Sequence, residues 1–112
     1  MIHQLRIYEI FDENKEAFHE RFRDHAKRIM QSYGFRFLSI WETRANGRPE
    51  LAYLLEWPDE DTMTAAWDGF MQDQEWKDIK AEWSAEHGRA VGAIEDRVLV
   101  PTDYTPRSRP SS

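Results

Sequence analysis

His25 is the first residue whose type and place could do chemistry. It follows Phe22 by three positions and precedes Ile29 by four, so helical spacing sets it on or beside an apolar stripe. A His facing an enclosed apolar cavity is a candidate general acid or base, because burial and neighbours tune it near neutral pH. The plainer reading is a His at the stripe's edge, hydrogen-bonded to backbone or water. A set of rings comes next: Tyr8, Trp41, Tyr53, Trp67, Phe70, Trp76 and Trp83. They suit the walls of a slot for a flat aromatic or polyketide-like ligand, with Tyr hydroxyls as donors. They also suit an ordinary core. However, Tyr and Trp carry polar tips that need partners when buried, which Leu and Phe do not.

Glu42 and Glu56 stand on adjacent strand segments. Pointing inward together, they would form a carboxylate pair with one raised pKa. Pairing with Arg6, Arg36 or Arg97 is the commoner fate of strand carboxylates and is the reading favoured here. Metal chemistry has little support. His3, His19, His25 and His87 are scattered. Six positions separate His19 from His25, which turns about 240° on a helix and parts their faces. We expect no metal site, although a single haem ligand stays open. No Gly-rich phosphate loop or nucleophile elbow occurs.

These side chains need elements to hold them. Residues 2–10 alternate loosely and read as a strand. Asp12 or Asn14 can cap a helix from about Lys15 to Tyr33, in which Phe18, Phe22, Ala26, Ile29 and Tyr33 share a face. Gly34 is its left-handed cap, with Phe35 set to touch Met30. Strands follow at Phe35 to about Arg44 and about Glu50 to Trp57, joined by Asn46-Gly47, a strong hairpin signal. Pro58-Asp59-Glu60-Asp61 opens a second helix carrying Met63, Ala66, Trp67, Phe70 and Met71 at helical spacing. Asp73 caps a third helix with Trp76, Ile79 and Trp83, ended by Gly88. A last strand spans residues 91–100.

The order β-α-β-β-α-α-β is that of a ferredoxin-like α+β fold, a four-stranded antiparallel sheet with its helices on one face. Residues 1–106 form the domain. Tyr104 is expected to dock, and the Pro/Ser/Arg-rich end, 107–112, is expected to be a disordered tail. Both sheet faces carry large apolar residues. On the second strand Phe35, Phe37, Ser39 and Trp41 read as one side, and Leu38 and Ile40, with Arg36 and Glu42, as the other. Helices cover one face only, so the far face should dock a second copy in a homodimer.

Composition bounds the partners. Of 112 residues, 5 are Trp, 6 Phe and 4 Tyr, enough rings for a core and a pocket. A formal charge of -6 argues against nucleic acid and anionic membrane surfaces. The absence of Cys removes disulfides and thiol nucleophiles and fits a reducing compartment. No stretch approaches the roughly 20 apolar residues of a membrane span, and the first residues read as strand, not signal peptide. The expectation is a cytoplasmic protein.

Several segments in order resemble the small bacterial NIPSNAP proteins. They are His3-Gln4-Leu5-Arg6-Ile7-Tyr8, Arg21-Phe22-Arg23-Asp24-His25 and Gly34-Phe35-Arg36-Phe37-Leu38-Ser39-Ile40-Trp41. Glu50-Leu51-Ala52-Tyr53-Leu54-Leu55-Glu56-Trp57, Asp73-Gln74-Glu75-Trp76 and Arg97-Val98-Leu99-Val100-Pro101 complete the set. The resemblance spans residues 1–106 and implies a dimeric α/β barrel. It carries no site by motif. The wider superfamily includes cofactor-independent monooxygenases, cyclases, isomerases, lyases and haem-handling enzymes, with ligands between sheet and helices.

The functional expectation is therefore a small cofactor-independent enzyme acting on an organic substrate in the helix–sheet cavity. His25 would be its acid/base, and Tyr8, Trp41, Tyr53, Trp67, Phe70 and Trp83 its substrate wall. A non-catalytic ligand-binding module and a haem-binding protein are the alternatives.

Overall fold

The computed structural model describes residues 1–106, and the tail expected over 107–112 lies outside the described residues. β1 (Ile2–Ile10) alternates as read, turning Gln4, Tyr8 and Ile10 into the core. The helix after it has three parts: α1 (Lys15–Arg21), a π-turn (Phe22–Ala26) and α2 (Lys27–Ser32). Phe18, Phe22, Ala26, Ile29 and Met30 are buried along it. Asn14 precedes α1, but its side chain makes no cap. Its amide instead donates to the carbonyls of His87 and Arg89, at 3.1 and 3.2 Å, which ties the helix start to the approach of the last strand. Gly34 takes φ 93° and lets the Phe35 N–H reach back to the Met30 carbonyl, closing the helix as expected.

β2 (Arg36–Ala45) and β3 (Arg48–Trp57) are joined through Asn46 and Gly47, at φ 53° and 77°, the positive values that a tight hairpin demands. α3 (Glu60–Gln72) begins at Asp59, whose carboxylate accepts from Thr62 N at 2.7 Å. α4 (Gln74–His87) begins at Asp73, which accepts from Trp76 N at 2.8 Å. β4 (Val91–Leu99) completes an antiparallel sheet in the order β2-β3-β1-β4. The ferredoxin-like order is thus the one observed. Tyr104 does not dock and is 82 % exposed.

One face of this sheet and the helices enclose the core. Tyr53, Leu55 and Trp57 of β3 meet Phe18 and Phe22 of the first helix, Phe35 of the loop and Phe70 of α3. Ring pairs at 5.0 to 5.7 Å in tilted or edge-on geometry recur through it.

The strand-face reading of β2 needs correction. Phe37 stands opposite Leu55, but Ser39 stands opposite Leu54, so Leu38 is an extra residue in a bulge. One extra residue reverses the parity of everything after it. Phe35 and Phe37 face the helices; Ser39 and Trp41 face away. Ile40 and Glu42, opposite Tyr53 and Leu51, turn to the helix side. Glu42 there pairs with Lys15 at 2.7 Å, while Glu56, on the far face, pairs with Arg36 at 3.2 Å. The two carboxylates are structural partners of cations and not of each other.

Candidate active site

A single row of side chains crosses three strands on the helix side: Tyr53 of β3, Arg6 of β1 and Asp96 of β4, each opposite the next. Two residues along β1, hence on the same face, stands Tyr8. Arg6 joins them. Its Nη1 donates to Asp96 Oδ2 at 2.9 Å and its Nη2 to the Tyr8 hydroxyl at 3.1 Å. The Tyr8 and Tyr53 hydroxyls lie 2.5 Å apart, one donating to the other. The Arg6 guanidinium also stacks 4.4 Å from the Trp67 ring centroid.

Gln4 holds this arrangement from beneath. It is 1 % exposed, and three hydrogen bonds engage its amide. Oε1 accepts from the indole N–H groups of Trp57 and Trp67, at 3.0 and 2.9 Å, and Nε2 donates to Asp96 at 2.9 Å. One amide thereby orients the ring that covers Arg6 and the carboxylate that pairs with it.

The electrostatics follow from burial. Burial opposes the Arg6 charge, but the Tyr8 and Tyr53 oxygens more than offset that, and its proton is held more tightly than usual. Tyr53 is fully buried; burial first, then the neighbouring Tyr8, pushes its hydroxyl well above the ordinary phenol range. Tyr53 is a neutral phenol and Arg6 a fixed cation.

In front of this cluster lies a cavity of about 170 Å³ between sheet and helices. Tyr8, Phe22, Trp67, Phe70 and Trp76 supply much of its wall, with Arg6 and Arg21 at its polar points. Met71 and Ile94, 47 % and 49 % exposed, mark its mouth. A larger groove of about 430 Å³ lies on the other side of Arg21, between the first helix and α4. Three exposed carboxylates, Glu20, Glu82 and Glu86, stand on its walls and hold water better than an organic ligand.

The expected site residues divide between these places. Tyr8, Trp67 and Phe70 line the cavity, and Tyr53 lies directly behind Tyr8. Trp83 is in the groove, its ring 4.7 Å from the Arg21 guanidinium and its indole N–H donating to the Ala17 carbonyl. Trp41 is on the far face, 47 % exposed, because of the Leu38 bulge. His25 does not reach the helix–sheet cavity. The π-turn keeps Phe22 and Ala26 inward and leaves His25 exposed on the groove. Gln4, Arg6, Asp96 and Arg21 were not expected in the site. The signal for the first two was present as Gln4-x-Arg6-x-Tyr8, polar tips at a strand's two-residue period.

The NIPSNAP family model matches residues 3–106. The chain belongs to the NIPSNAP family. A NIPSNAP protein of Agrobacterium tumefaciens superposes with a TM-score of 0.78 at 19% identity, covering 94% of this chain and 96% of that one. A NIPSNAP domain protein of Burkholderia xenovorans gives 0.77 at 18%, covering 96% and 100%. A monooxygenase of Streptomyces coelicolor, solved in complex with nanaomycin D, gives 0.58 at 10%, covering 96% and 92%. At these identities the likeness is one of fold. No curated protein sequence matches this NIPSNAP chain. No helix among its described residues is long and apolar enough to cross a membrane.

Proposed function

We propose that this NIPSNAP protein is a small, cofactor-independent enzyme that stabilises negative charge on an oxygen of an organic ligand held in the helix–sheet cavity. The hydrogen-bonded set Arg6–Tyr8–Tyr53 at the cavity wall carries this reading. The Tyr8 oxygen accepts from Arg6, and when it also accepts from Tyr53 its own O–H is left to donate into the cavity. A donor backed by a half-buried cation favours an enolate or phenolate over its neutral form. That step is common to isomerisation, cyclisation, lyase chemistry and substrate-activated oxygenation. The ligand-bound monooxygenase of the same fold supports an organic ligand in general terms only.

Size narrows the ligand. A cavity of about 170 Å³ is near the ~150 Å³ that holds one benzene ring. Drug-sized ligands occupy about 300 Å³ or more. A one-ring substrate therefore fits better than the polyketide-like one expected from the ring count.

The test is turnover of a panel of one-ring phenols and cyclic 1,3-diketones, followed by absorbance and oxygen uptake. Tyr8→Phe should lower the rate by about 10², and His25→Ala should leave it unchanged. An unaltered rate in Tyr8→Phe removes the reading. Binding with no turnover of any compound would make the protein a binding module.

We also propose that a second copy covers the far face of the sheet. Leu5, Ile7, Ala52 and Leu54 lie there, with Trp41 and Leu99 exposed at 47 % and 40 %. Such a patch on one sheet face favours a two-fold sheet-to-sheet contact.

A further inference from the structure

The chain is acidic, with a formal charge of -6. Yet, among the described residues, the helix–sheet cavity is lined by three cations, Arg6, Arg21 and Lys80, and by no Asp or Glu. Arg6 has Asp96 as its partner. Arg21 has none: no carboxylate oxygen comes within 4 Å of it among the described residues. Its Nε is buried and makes no hydrogen bond. Its guanidinium lies 5.0 Å from the Trp76 ring centroid, 4.7 Å from that of Trp83 and 5.5 Å from that of Phe18.

Those rings attract the charge, but they do not satisfy the donor fork. Buried donors in native proteins are nearly always paired. The planar fork matches a carboxylate in two parallel hydrogen bonds. Arg21 is also the last residue before the π-turn, a feature concentrated at functional sites. On its outer side the groove carries Glu20, Glu82 and Glu86, which repel an anion arriving from there. On its inner side Lys80 attracts one.

We propose that Arg21 is the carboxylate anchor of the cavity and that the ligand is a one-ring aromatic acid. Its carboxylate docks on Arg21, its ring lies among Phe22, Trp67 and Trp76, and its second oxygen is directed at Tyr8. Only the Tyr8 end rests on the proposed function above; the anchor stands on Arg21 alone.

The experiment is a titration of the whole protein with benzoate, phenylacetate and 3-phenylpropanoate, against benzamide and inorganic phosphate. Tryptophan fluorescence reports affinity, and the ¹⁵N-labelled Arg21 Nε–Hε resonance reports place. At least one acid should bind about tenfold or more tightly than benzamide and shift that resonance. Arg21→Met should bring acid and amide to within about twofold, while Tyr8→Phe keeps the preference. No preference for any acid, a preference that survives Arg21→Met, or phosphate binding more tightly than every acid each overturns the proposal. If Arg21→Met does not fold, an unshifted Arg21 resonance at saturation overturns it instead. Loss of turnover in Tyr8→Phe with no acid preference would leave the enzymatic reading standing without the anchor. Acid binding through Arg21 with an unaffected Tyr8→Phe rate would leave the anchor without the enzymatic reading.

Discussion

The Arg6 Nη2 donates to the Tyr8 hydroxyl at 3.1 Å from two residues away on the same strand. Strand periodicity sets both on the helix side, and the Arg6 guanidinium folds along the strand to lie 5.2 Å from the Tyr8 ring centroid. Cation and phenol thus act on the cavity as one group. What the neighbouring residues do to that group leads to the following expectations.

Gln4 is the buried residue whose loss should be felt most. Gln4→Leu leaves two indole N–H groups without their acceptor and Asp96 without one donor. A buried donor stripped of its partner costs about 1–3 kcal/mol. Denaturant unfolding should show a loss of about 3 kcal/mol, summed over these groups. A loss under about 0.5 kcal/mol would mean that water replaces the amide.

Tyr53 should govern the alkaline limb of stability. Its hydroxyl is raised well above the usual range by burial and by Tyr8. Above about pH 10 the unfolded chain releases this proton and the folded protein keeps it. The folded state then binds more protons, so stability is full below that pH and falls as pH rises through the folded value. Tyr53→Phe should flatten this fall in melting experiments between pH 9 and 11 (a range set by the ~10 of an ordinary phenol). An identical slope in the variant would contradict the placement of Tyr53.

Asp73 should act on the acid side. The Tyr33 hydroxyl, at 2.7 Å, and then the Trp76 N–H hold its carboxyl below the ordinary carboxylate range. Its stabilisation is present above the unfolded carboxyl pKa of about 3.9 and is lost as pH falls through the lower folded value. Asp73→Asn, which keeps a cap acceptor and removes the charge, should lower the melting temperature at neutral pH. The gap from the native protein should close at the most acid pH. A gap that persists there would assign the loss to packing.

Trp41 should matter for assembly and little for the cavity. On the far face it stands opposite Ala52, which stands opposite Ile7. Light scattering should give twice the 13.4 kDa chain mass. Trp41→Arg should shift it toward one chain, because an unpaired charge in an apolar contact is costly to desolvate. A native protein already at one chain mass would sink the dimer. In that case the apolar far face would need another explanation.

Much of the fold was legible in residue order. The hairpin could be read because Asn46-Gly47 tolerates positive φ, and the helix ends because Asp59, Asp73 and Gly34 do the capping that their types suit. Asn14 was misread because its amide found distant carbonyls on the approach to β4. The site was less legible. Tyr8, Trp67 and Phe70 were found by ring type, but His25 was placed by a 3.6-residue period that the π-turn breaks locally.

By itself the sequence determined the element order, the ferredoxin-like topology and the apolar character of both sheet faces. Each of these follows from local spacing and turn chemistry, which do not depend on distant residues. Only the tertiary structure decided which residues meet. The Leu38 bulge is a property of the β2–β3 pairing and reverses Trp41 and Glu42. The meeting of Arg6 with Asp96, 90 positions away, requires β4 to close beside β1. Among the described residues no carboxylate reaches Arg21, which is a fact about every strand and helix around it, and no local pattern encodes that.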